Sequence, residues 1–139
     1  MKRASYLLLA VPILLMSMKC EDDFGTGVTA CIFRNVSQDT LAVVVSEAYP
    51  DTLFPYSPTC LYRNILPGEY VGIQVHSYQW NDNQDFILQL FIYDNSVPHF
   101  AAYLREKHVE LARYQLTKKE IKAMNGFVIY PPQHHINTE

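Results

Sequence analysis

Three cysteines, five histidines and one run of amides and carboxylates are the residues of this 139-residue chain whose types could do chemistry. Cys31 and Cys60 are the candidate disulfide partners. In an oxidising compartment a bridge between them would close a loop of roughly 30 residues and stabilise the fold by about 3 to 4 kcal/mol, chiefly by restricting the unfolded chain. Two buried free thiols acting as small apolar residues are the alternative. The stretch "WNDNQD", 80 to 85, places oxygen-bearing side chains at Asn81, Asn83 and Asp85, with Asp82 between them, in the alternating manner of a calcium loop. It lacks the glycine at the sixth position and a downstream bidentate glutamate. Trp80, beside these polar groups, is a candidate sugar-stacking residue, because an indole next to hydrogen-bonding groups suits a carbohydrate face. A polar turn with a Trp packed at the sheet edge is the plainer reading of the same residues.

The histidines do not form a ligand set. His76, His99 and His108 fall in unlike elements, and the adjacent His134 and His135 point apart in a tail, whereas zinc wants three or four convergent ligands. No G-x-S-x-G, no P-loop and no cysteine-nucleophile setting occurs. Asp51, Asp82, Asp85 and Asp94 stand near expected turns, where solvated carboxylates are normal. The residues therefore point away from an enzyme and imply no cofactor or metal.

The elements that position these residues follow from periodicity. Half the chain is apolar, 13% is aromatic, and the net charge is −3 without any Lys/Arg cluster, so a real core is expected and nucleic acid is a poor partner. From Val28 onward, β-branched and aromatic runs alternate with turn residues, predicting strands over 28–36, 40–47, 60–66, 70–79 and 86–93. "SQD" at 37–39 and "NDNQD" at 81–85 are hairpin signals, and "PG" at 67–68 is a turn. The three prolines of "YPDTLFPYSP", 49–58, cannot donate to a ladder, so this segment is expected to cross between sheets or follow an edge.

After Tyr93 the period changes. Asn95 or Ser96 as N-cap, Pro98, and Phe100, Tyr103 and Leu104 on one face predict a helix over 97–108. "TKKE" at 117–120 is a capping box opening a second helix, which "NG" at 125–126 closes before a last strand "FVIY". Leu116, Ile121 and Met124 are expected on the buried face of this helix. The fold class is therefore mainly β, a β-sandwich of immunoglobulin-like size, with two short helices near the C-terminus.

Residues 1–19 have another texture. Lys2 and Arg3 precede an apolar run from Tyr6 to Met16, too short to span a bilayer and without a basic far flank, which is the form of an export signal. "LLMSMKCEDD", with Cys20 followed by Glu21, Asp22 and Asp23, resembles the processing and lipidation site of a bacterial lipoprotein precursor. The acidic triplet resembles the surface-export signal of Bacteroides-type lipoproteins. "CIFRNVSQDTLAVVV", "EAYPDT" and "ARYQLTKKEIKAMNGFVIYPP" are similar to segments of small, uncharacterised lipoproteins of that type, over most of the chain after residue 20.

The resemblance implies an organisation: a lipoprotein signal peptide over 1–19, a short acidic and Gly-rich tether over 20–27 beginning at the lipid attachment residue Cys20, one β-rich domain over 28–132, and a frayed tail over 133–139. It implies attachment to the outer membrane through the N-terminal lipid, with exposure at the cell surface. Loss of 1–19 removes Lys2, Arg3 and Lys19, leaving 8 basic against 14 acidic residues, so attachment would rest on acyl chains and not on charge. The expected function is a lipid-anchored binding or interaction module meeting an envelope protein or a glycan. The alternatives are a structural accessory subunit of an envelope transport or secretion complex and, third, a small hydrolase.

Overall fold

A computed structural model of the chain describes residues 27–55, 58–98 and 101–133. Seven strands form two sheets: β1 Gly27–Asn35, β4 Tyr70–His76 and β7 Phe127–Tyr130 in one, and β2 Leu41–Ser46, β3 Cys60–Ile65, β5 Ile87–Asp94 and β6 Ala112–Thr117 in the other. The spatial orders are β4-β1-β7 and β3-β2-β5-β6. Every pairing is antiparallel except β1 with β7, which run parallel. Three short helices, α1 Ser77–Asp82, α2 Ala101–Lys107 and α3 Lys118–Ala123, sit between strands. The molecule is a mainly-β sandwich, as the alternation of apolar runs and turns predicts.

Between the sheets lies one core. Phe33, Ile73 and Val75 of the small sheet face Leu41, Val43, Leu88, Leu90 and Ile92 of the large one, all fully buried. The runs "LAVVV" and "ILQLFIY" lack the apolar–polar alternation of a half-exposed strand because β2 and β5, central in the large sheet, are covered on both faces. Their outer-facing residues Ala42, Val44, Phe91 and Tyr93 form a second cluster with Phe54 and with Leu104 of α2. Phe54 meets the rings of Phe91 and Tyr93 edge-on at 6.0 and 5.9 Å.

That second layer corrects the expectation for the proline-rich segment. β2 and β3 are neighbours in one sheet, so the chain between them does not change sheets but folds over the sheet's outer face. Lying off the ladder, its carbonyls accept from side chains instead: Gln89 Nε2 donates to Asp51 O (2.8 Å), Arg113 Nη1 to Thr52 O (2.5 Å) and Arg105 Nη1 to Phe54 O (2.6 Å).

Neither expected hairpin forms. β1 and β2 belong to different sheets, and so do β4 and β5. "SQD" instead makes a corner around Asn35, fully buried, whose Nδ2 donates to Asp39 O (2.7 Å) and Ile65 O (3.0 Å) while Oδ1 accepts from Ser37 N (2.9 Å) and Ser37 Oγ (2.6 Å). The strand expected over 70–79 stops at His76, and Ser77–Asp82 turns into α1. The helix expected over 97–108 is narrower, α2, in which Leu104 is buried and Tyr103 exposed. β6, which the sequence reading leaves unassigned, completes the large sheet.

The C-terminal clip matches expectation closely. Thr117 Oγ1 accepts from Glu120 N (3.2 Å), and Glu120 Oε2 accepts from Thr117 N (2.8 Å), the reciprocal capping box. The helix ends with Asn125 and Gly126 both at positive φ (55° and 78°), Gly126 N donating to Ile121 O and Asn125 N to Lys122 O. This is a Schellman closure. Ile121 is buried as expected, whereas Met124, at the cap, is exposed, and Leu116, expected on the helix face, instead lies on β6 paired with Leu88.

Candidate functional site

Cys20, the expected lipid attachment residue, lies outside the described residues, as do His99, His134 and His135. Cys31 is a free thiol facing the core from β1, and burial pushes it up to about 12. The expected Cys31–Cys60 bridge does not form. Cys60 is disulfide-bonded, but not to Cys31. Cys31 lies on β1 in the small sheet and Cys60 on β3 at the edge of the large one, both in the core between the sheets.

The run 80–85 is not a loop joining paired strands. Trp80, Asn81 and Asp82 lie on α1, and the polar side chains beyond serve local geometry, Asn83 Oδ1 accepting from Asp85 N (3.1 Å) and Asn83 Nδ2 donating to Gln79 Oε1 (3.0 Å). Among the described residues no group of three or more His, Cys, Asp or Glu side chains could hold a metal. Trp80 is half-buried, its ring edge-on to Phe86 at 6.0 Å with Lys118 Nζ 5.7 Å from the ring centroid. A sugar stacking there would meet a ring already packed on the core.

The aspartates named in the sequence also serve turns. Asp94 Oδ1 accepts from Ser96 N and Oγ, which holds its carboxyl below the usual range. Asp51 is held low by the Leu53 N–H and then by the Arg105 guanidinium.

Two arrangements emerge that the sequence did not suggest. In the first, Glu47, its side chain 8% exposed, accepts from Thr59 Oγ1 (2.9 Å), His76 N (3.0 Å) and His76 Nδ1 (2.5 Å). The ring of Tyr78 lies 5.4 Å from that of His76. The cluster ties the end of β4 to the chain on either side of the proline-rich segment. Thr59 turns its hydroxyl to Glu47 and not to the imidazole, so the group acts as a clip between sheets and not as a nucleophile–base pair.

The second is the outer face of the small sheet. Register sets its rows: Tyr70 beside Arg34 beside Ile129, then Gly72 beside Ile32 beside Phe127, then Gln74 beside Thr29. Tyr70 and Phe127 are 55% and 42% exposed, and the Arg34 guanidinium lies 5.0 Å from the Tyr70 ring centroid. Gln74 Nε2 donates to Thr29 Oγ1 at 2.7 Å. Alternation in "CIFRN" alone could have turned Arg34 outward; its aromatic neighbours come from strands distant in sequence.

Fold and surface together define a β-sandwich domain with one covered and one open outer face. No protein-family model, no curated protein and no solved structure matches the chain.

Proposed function

We propose that this chain is a lipid-anchored, surface-exposed binding module of the bacterial envelope, attached through Cys20. The observation that carries the reading is the "LLMSMKCEDD" junction, where an apolar run too short to span a bilayer ends at a cysteine followed by three acidic residues. A further observation agrees with it: the first strand opens at Gly27, a few residues beyond that cysteine.

The test is the mass of the mature amino terminus. A chain beginning at Cys20 and carrying a diacylglycerol is expected, together with release of the Cys20→Ala variant from the membrane fraction. A mature chain beginning elsewhere would end the proposal.

One observation favours a second reading. Cys60 is disulfide-bonded while Cys31 is free, so a bridge within one chain would use Cys20. One sulfur cannot be both a thioether and half of a disulfide. Peptide mapping without reductant separates the two: a Cys20–Cys60 linked peptide would make this an exported, disulfide-closed domain with no lipid at Cys20.

A further inference from the structure

The two sheets of the sandwich treat their outer faces differently. The large sheet is covered by Phe54 and α2, whereas the face of the small sheet carries Tyr70 and Phe127 in the open. From strand spacing and rise, this face measures about 14 Å across three strands and about 17 Å along them, roughly 240 Å². A stable protein interface needs about 800 Å² from each partner, so a second copy of the chain seated on this face alone would be poorly held.

The edges offer little to an added strand. Tyr62 Oη accepts from the outward Gln74 N (2.9 Å) on β4, and Tyr114 Oη donates to the outward Ile129 O (3.0 Å) on β7. What fits is narrow, linear, and able to use both rings and polar groups.

Charge narrows it further. The face holds Arg34 and no carboxylate, and Arg34 makes no ion pair among the described residues, its Nε being buried without a hydrogen-bond partner. A guanidinium fork without a carboxylate is matched by a ligand that brings one. Tyr70 and Phe127 lie two strands and two residues apart, about 12 Å between backbones, with Arg34 and Ile32 of β1 between them and Gly72 leaving the floor low across Ile32 from Phe127. Sugar rings present C–H faces to aromatic rings and hydroxyls at their edges, where Gln74 and Thr29 stand.

We propose that the outer face of the β4-β1-β7 sheet binds an acidic oligosaccharide, its rings stacked on Tyr70 and Phe127 and a uronate-type carboxylate on Arg34. The assignment rests on the binding-module reading above but not on the lipid.

Calorimetric titration of the full chain with trigalacturonate, its methyl ester and uronate trimers of glucuronate and mannuronate tests it. At least one acidic trimer is expected to bind, and for trigalacturonate the ester at least tenfold more weakly. Arg34→Gln should abolish that preference, Tyr70→Ala and Phe127→Ala should each weaken binding at least tenfold, and Phe127→Trp should retain it. All four variants should keep the parent melting transition. Absence of binding by every acidic trimer at millimolar concentration, equal binding of acid and ester, or binding indifferent to the substitutions would overturn the assignment. The lipid anchor is judged separately by the mass at Cys20, so failure here leaves that reading standing.

Discussion

Asn35 is the residue on which most backbone bookkeeping converges. Its amide serves Asp39 O, Ile65 O and Ser37, and its own backbone N–H and C=O engage Glu69 O and Gly68 N. Asn35→Ala strands several of these groups in a fully buried corner, and a destabilisation of about 3 kcal/mol is expected, read as a lower denaturant midpoint at unchanged slope. Buried acids make a second residue-scale case. Cys31 and Tyr114 are each pushed up to about 12 by burial, from ordinary values of 9.0 and 10.0. The folded state thus holds protons the unfolded chain releases, so this contribution is complete below about pH 9 and is lost as pH rises towards 12. Stability measured against pH should fall across that window, and less steeply in a Cys31→Ala/Tyr114→Phe variant.

At the scale of elements, the sandwich is closed by two tyrosines on opposite edges. Tyr62 from β3 meets β4 and Tyr114 from β6 meets β7, each through one hydroxyl bond to a strand edge. Each Tyr→Phe change should cost about 1 kcal/mol. Because β1 separates the two contacts, the double variant should lose the sum of the single losses, and a large coupling in the cycle would show that the clips are not independent. α1 illustrates how elements escape local reading. "HSYQW" has the aromatic flavour of a strand, yet β4 ends where Glu47 captures His76, and the chain coils.

For the whole molecule, the C-terminal third is structural. A chain ending at Leu111 would lose β6 from the large sheet, α3, and β7 from the small one, exposing Leu88, Leu90 and Phe33. No cooperative thermal transition is expected of it, and calorimetry would show whether one survives. The sequence alone determined what is written in short-range patterns: strands from apolar and aromatic runs broken by turn residues, the Thr117 capping box, and the Gly68 and Gly126 turns. Only the tertiary structure decided which strands share a sheet, that the proline-rich segment roofs the large sheet, that β6 is a strand, that Cys31 stays free, and that Tyr70, Arg34 and Phe127 meet on one face. The division has a physical cause. Caps and turns are satisfied by atoms a few residues away, whereas sheet membership and surface constellations depend on pairings between segments separated by tens of residues, which no local propensity encodes.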